Sequence, residues 1–181
     1  MKIVYFLLLL SLVSVLACTP ANGAGDKQQQ GDQALAGSAA PADTCGNAMK
    51  TSTYEPGRWI TDYQLALNYA AELKRPVLIN FTGSDWCGWC KKLSKEVFTQ
   101  DAFVNYAKDN LVLLKIDFPQ SIPQTQAEKD ANSALAKKYA VQGYPTIVLV
   151  DEKGTELQRT GYQYGGAEKY VTHLQELLKT E

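Results

Sequence analysis

The stretch Val77-Leu78-Ile79-Asn80-Phe81-Thr82-Gly83-Ser84-Asp85-Trp86-Cys87-Gly88-Trp89-Cys90-Lys91 decides the fold. Its first five residues are a short apolar run, read as a buried strand. Thr82 to Asp85 is loop chemistry, and a helix follows from about Cys87 to Val97. Two cysteines therefore stand where a strand gives way to a helix. At that helix N-terminus, unpaired backbone N–H groups and the positive end of the dipole favour a thiolate at Cys87. Its pKa is expected below the free value of about 8.5. Cys90 lies one turn along and shares a face with Leu93 and Val97, so it points inward. This predicts one accessible, activated sulfur with a buried sulfur behind it. Attack by Cys87 on a substrate disulfide gives a mixed disulfide, and Cys90 then releases the reduced substrate. Lys91, Lys92 and Lys95 are expected on the other, solvated side of the helix.

Upstream, Trp59-Ile60-Thr61-Asp62 predicts a helix start, with Thr61 and Gln64 as a capping box and Ile60 and Leu65 as a staple. Pro76 ends that helix. Downstream, the pattern predicts a short helix over 101–108 and a strand over 111–117. A helix opens at the Thr125/Glu128 capping box and runs to about Tyr139. A strand over 146–150 turns at Asp151-Glu152-Lys153-Gly154 into a strand over 157–162. A last helix buries Tyr170, Leu174 and Leu177. Two β-α-β passages favour parallel strands, and the hairpin adds antiparallel ones. The expectation is an α/β fold with a mixed central sheet and helices on both faces.

The N-terminal part differs in texture. Lys2 precedes an apolar run from Ile3 to Leu16, shorter than the ~20 residues of a spanning helix and fitting a signal peptide over 1–17. Val15-Leu16-Ala17-Cys18 resembles the lipobox of bacterial lipoproteins, which implies lipid attachment at Cys18; the alternative is plain cleavage after Ala17. Both routes place the protein outside the cytoplasm, periplasmic or on the cell surface, where disulfides persist. Residues 18–53 are rich in Ala, Gly, Gln, Asp, Ser and Pro and read as a flexible tether. Cys45 lies in it, as an incidental thiol, a partner for Cys18 or an extra redox thiol. Residues 54–181 form the single domain. The formal net charge of −1 argues against a nucleic-acid partner, which needs a clustered basic excess. One histidine, His173, excludes most His-built metal sites.

Asn80-Phe81, Trp86-Cys87-Gly88-Trp89-Cys90-Lys91 and Gly143-Tyr144-Pro145-Thr146 stand in the order seen in the thioredoxin superfamily. The chain resembles that superfamily from about Trp59 onward, and most of all its exported bacterial thiol:disulfide interchange members. The resemblance implies a thioredoxin-like fold and a protein-disulfide oxidoreductase serving redox homeostasis. It implies Cys87 as attacking and Cys90 as resolving cysteine, Pro145 as a cis-proline facing them, and substrate binding by Trp86, Gly88, Trp89, Tyr144 and Pro145. The implied partners are disulfide-containing substrate proteins and a membrane electron donor; no cofactor and no metal is implied. Two positions depart from thioredoxin itself. Asn80 stands where it has a buried Asp, so proton transfer falls to water or another group, with Asp85 nearby. Trp89 stands where it has Pro, and it is also a candidate docking surface.

Reduction of substrate disulfides is the expected direction, with oxidase or isomerase activity as alternatives. A different reading has Cys87 and Cys90 hold a soft ion such as Cu(I). The pair supplies only two ligands, and a closed zinc site needs four. A third, a redox-inert interaction domain, leaves the intact cysteine pair without a purpose.

Overall fold

The structure is a computed structural model that describes residues 54–179. The expected signal peptide, Cys18, the tether and Cys45 lie outside the described residues. The order is β1 (Trp59–Ile60), α1 (Tyr63–Leu73), β2 (Val77–Thr82), α2 (Gly88–Leu93), α3 (Asp101–Asn110), β3 (Val112–Asp117), α4 (Gln126–Lys138), β4 (Thr146–Val150), β5 (Glu156–Thr160) and α5 (Gly166–Lys179). A π-helical turn, Ser94–Phe98, continues α2. The five strands form one sheet in the order β1-β3-β2-β4-β5.

β2 is the central strand, and all six of its residues are buried. Alternation along it sends Val77, Ile79 and Phe81 to one face and Leu78 to the other. On the first face they pack with Ala66, Leu67, Tyr69 and Ala70 of α1 and with Tyr139 just after α4. On the second, Leu78 meets Leu93, Val97, Phe103, Tyr170 and Leu174 from α2, the π turn, α3 and α5. Helices thus cover both faces, as the sequence implied.

Two expectations are corrected. Trp59 and Ile60 do not open a helix: they pair in parallel with Leu113 and Leu114 on the edge of β3. The N-cap is Asp62, whose Oδ1 accepts from the Leu65 N–H at 2.8 Å. Ladder hydrogen bonds on a free sheet edge outcompete one more helical turn for Ile60, and the carboxylate one residue on caps in place of Thr61. The second β-α-β passage is also not a parallel crossover. β3 ends at Asp117 beside Thr82, and β4 starts at Thr146 beside Phe81, so β4 begins at the sheet end where β3 finished and runs antiparallel to β2. Apolar runs encode burial, not direction. The Thr125/Glu128 capping box is present, with Thr125 N–H donating to Glu128 at 2.7 Å.

Gly154 turns β4 into β5 with φ 74°, a conformation suited to glycine. A Cβ there would collide with the Tyr63 hydroxyl. That hydroxyl is hydrogen-bonded to the Tyr139 hydroxyl at 2.7 Å, and Tyr139 donates to the Gly154 carbonyl at 3.0 Å. This small network ties the start of α1 and the end of α4 to the hairpin.

Candidate active site

β2, β3 and β4 converge at one end of the sheet, and the loop 83–86 rises from it. The loop is fastened residue by residue to the segment after β3. The Phe118 N–H donates to the Thr82 carbonyl at 2.8 Å, extending the ladder. Ser84 donates from its N–H and its hydroxyl to the Asp117 carboxylate, at 3.0 and 2.6 Å. Asp85 accepts from the backbone N–H groups of Ser121 and Gln120. Those two donors hold its carboxyl below the ordinary Asp value. Asp85 thus latches the 118–122 loop through its carboxylate. Trp86 donates from Nε1 to the Phe118 carbonyl at 2.8 Å. Its ring lies against Gly83, where a Cβ would come within 2.6 Å of Nε1 and 2.7 Å of Cζ2.

The Cys87 N–H donates to the Gly83 carbonyl at 2.9 Å, which places Cys87 as the N-cap of α2. Its Sγ accepts from the Cys90 N–H at 3.2 Å. Cys87 and Cys90 form a disulfide with Cα atoms 5.2 Å apart. The expected contrast between an accessible and a buried sulfur is corrected for this oxidised state, because Cys87 is 6% and Cys90 5% exposed. The covering group is the Tyr144 loop: Cys87 Sγ lies 3.6 Å from the Tyr144 carbonyl oxygen. The Tyr144–Pro145 bond is cis, as the resemblance to the thioredoxin superfamily implied. Tyr144 packs edge-on to Trp86 at 5.8 Å and tilted on Phe118 at 5.2 Å, and burial raises its phenol pKa. Trp86, Cys87, Tyr144 and Pro145 are thus brought together from β2's loop and β4's approach.

Trp89 stands apart from that cluster and is 50% exposed. Its ring lies 5.3 Å from Tyr162 and 6.4 Å from Tyr164, with Lys92 Nζ about 5 Å from all three rings. Gly88 has open space where a side chain would be. The strand expected over 157–162 ends at Thr160, so Tyr162, its expected last residue, lies with Tyr164 in the loop after β5, and no local motif marks either as a site residue. Tyr162 donates to Glu96, which fixes that loop against the π turn.

Behind the disulfide lies a cavity of ≈ 410 Å³ whose lining includes Asn80, Cys90, Lys91, Lys95 and Lys115. Lys91 and Lys95, four residues apart and so on one side of the helix, therefore border the cavity together with Cys90, contrary to the expectation. Only Lys92 turns to the aromatic group. Asn80 is 8% exposed, and its Oδ1 has no protein hydrogen-bond partner. A larger cavity, ≈ 840 Å³, opens at the far end of the sheet near Pro76 and Asp151, and no cysteine lines it. His173 bonds Thr160 through Nε2 at 2.8 Å, remote from the dithiol. Among the described residues there is no group of three or more His, Cys, Asp or Glu able to hold a metal ion. No helix among them is long and apolar enough to cross a membrane.

A mixed sheet carrying a Cys-x-x-Cys disulfide at a helix start, opposite a cis-proline, defines the class of thioredoxin-like thiol–disulfide oxidoreductases. The chain belongs to the thioredoxin-like domain family, whose model matches residues 63–177. It is 34% identical over 117 residues to the disulfide bond reductase DsbH of Chlamydia pneumoniae, covering 65% of this chain and 70% of that one. It is 31% identical over 138 residues to the thiol:disulfide interchange protein DsbD of Pectobacterium atrosepticum, but spans only 22% of that protein. A solved structure titled DsbH Oxidoreductase superposes with a TM-score of 0.64 at 30% identity, covering 76% of this chain and 96% of that one. With these relatives and this cysteine pair, the chain is a protein-disulfide oxidoreductase.

Proposed function

We propose that the protein is an exported, lipid-anchored reductase of protein disulfides. Residues 1–17 are removed as a signal peptide, Cys18 carries the lipid, 18–53 tether the domain, and 54–181 do the chemistry. In the reduced enzyme the Cys87 thiolate attacks one sulfur of a substrate disulfide, and the other substrate sulfur leaves. Cys90 then attacks Cys87, re-forming the enzyme disulfide and freeing the second substrate thiol. Trp86, Gly88, Trp89, Tyr144 and Pro145 bind the substrate segment. A membrane electron donor returns two electrons to the pair.

The observation that carries this reading is the Cys87–Cys90 disulfide at the start of α2, with Cys87 facing the Tyr144 carbonyl. The likeness to DsbH, named a disulfide bond reductase, supports the reducing direction. Insulin-disulfide reduction tests it: Cys87→Ser is expected to abolish turnover, and Cys90→Ser to accumulate a mixed disulfide on Cys87. A reduction potential near −270 mV fits a reductase, whereas one near −120 mV would replace that direction with an oxidase. Labelling with radioactive fatty acid that persists in Cys18→Ala would remove the anchor.

A further inference from the structure

We infer that Asn80 is a positioning residue for the second sulfur: once the disulfide is reduced, the Cys90 S–H donates a hydrogen bond to Asn80 Oδ1. The inference rests on the dithiol chemistry proposed for Cys87 and Cys90.

The sheet sets the geometry. Residue 80 shares with Leu78 the face of β2 that α2, α3 and α5 cover. Asn80 and Cys90 line the same cavity there. Asn80 Oδ1 is buried and accepts from no protein group, and burying an unpaired acceptor is costly. Four of the other polar groups that line the cavity have commitments elsewhere. Lys91 Nζ donates to the Asp85 carbonyl at 2.6 Å, and Lys115 Nζ lies 3.4 Å from the Asp117 carboxylate. The Ser84 hydroxyl is given to Asp117, and that of Thr99 to the Ser94 and Lys95 carbonyls. A disulfide sulfur has no hydrogen to offer. Reduction changes this: two electrons break the S–S bond and a proton taken up at Cys90 makes a new donor in this cavity. A thiol is a weak donor and an amide oxygen a good acceptor.

The bond has a consequence for each step. In the dithiol and in the mixed disulfide, Asn80 holds Cys90 as a protonated thiol. For resolution the proton passes to water, and the Cys90 thiolate places an electron pair on Cys87 Sγ. The bond from Cys87 to the substrate breaks, its pair goes to the substrate sulfur, and that thiolate takes a proton from solvent. The amide accepts no proton itself, so the only ionisation on this side of the disulfide that enters the step is that of Cys90. The charged groups facing it are Lys91 from α2, Lys95 from the π turn and Lys115 from β3, with Asp117 behind Lys115. All three lysines favour the departing proton's thiolate over the thiol.

Asn80 is bonded in the dithiol and orphaned in the disulfide, so it shifts the redox equilibrium toward the dithiol. The test uses the full chain with Cys18→Ser and Cys45→Ser, leaving the active pair as its only cysteines. Asn80→Val removes the acceptor, and Asn80→Thr has nearly the same shape as Val but restores one. Against a glutathione redox buffer, Asn80→Val is expected to favour the disulfide about fivefold over the unsubstituted residue, with Asn80→Thr returning most of that shift. With Cys87→Ser added, Cys90 supplies the single S–H stretching band. It is expected at a hydrogen-bonded frequency with Asn80 and at the free-thiol frequency in Asn80→Val. A free-thiol band with Asn80 in place overturns the inference, and this measurement does not depend on any Asn80 variant folding. An unchanged equilibrium in Asn80→Val, or a hydrogen-bonded band that persists there because water is the acceptor, overturns it as well. Absence of insulin turnover by the unsubstituted enzyme would instead count against the reductase reading and leave both measurements readable.

Discussion

Gly83→Ala puts one methyl group where the Trp86 ring now lies. The added carbon would meet Nε1 at 2.6 Å and Cζ2 at 2.7 Å, well inside van der Waals contact, so the indole must swing away. Trp86 is 42% exposed and has room to do so. Moving it breaks the Nε1 bond to the Phe118 carbonyl, worth about 0.5–1.5 kcal/mol, and the edge-on contact with Tyr144, worth a similar amount. The expected cost is thus about 1–3 kcal/mol, the usual range for overpacking. At roughly 4 °C per kcal/mol for a domain of this size, Tm falls by about 4–12 °C. The functional loss comes from freeing Tyr144, whose carbonyl lies against Cys87. Insulin-disulfide reduction is expected to lose about tenfold in kcat/KM, equivalent to ~1.4 kcal/mol in the transition state. The decisive assay is a double-mutant cycle with Trp86→Ala. If the steric account holds, Gly83→Ala costs almost nothing in the Trp86→Ala background. An equal cost in both backgrounds would refute it, because the penalty would then lie in the loop backbone and not in the indole.

Tyr139→Phe removes the hydroxyl that bonds both Tyr63 and the Gly154 carbonyl, so urea unfolding should show about 1–3 kcal/mol of lost stability with the dithiol's turnover unchanged. Leu93→Ala opens a cavity in the fully buried face beneath α2 and should cost about 2–5 kcal/mol by the same measurement, since Leu93 is 0% exposed. The Asp85 carboxyl is depressed in the folded state, first by the Ser121 N–H and then by Gln120. Its contribution is therefore complete above the unfolded pKa of about 3.9 and is lost as pH falls through the lower folded value. The Ser121 amide resonance should titrate in that window by NMR, and the titration should vanish in Asp85→Asn.

Much of the fold was legible because its signals are local. Val77–Phe81 is an apolar run flanked by turn residues, and Thr125 with Glu128 is a cap that closes on itself within one turn. The cysteine pair was legible for the same reason, since its chemistry depends on a spacing of three residues and a strand-to-helix junction. Ile60 was misread because its fate depends on a β3 edge more than fifty residues away in the chain. The direction of β4 was misread because strand composition is nearly the same whichever way the strand runs. Tyr162 was legible only as the end of a strand, and Tyr164 not at all, as only the tertiary fold sets them next to Trp89.

The sequence by itself determined the cysteine pair, two thiols one helical turn apart with the first at a helix start, and its resemblance to the thioredoxin superfamily implied redox chemistry for them. Only the tertiary structure decided what surrounds them. Folding covers Cys87 with the Tyr144 carbonyl, turns Asp85 into a latch, and sets a buried, unpartnered Asn80 oxygen in the cavity behind Cys90. The physical reason is that helix starts and turns are satisfied by hydrogen bonds a few residues long, whereas burial and polar pairing around a site are settled only when distant strands come into register.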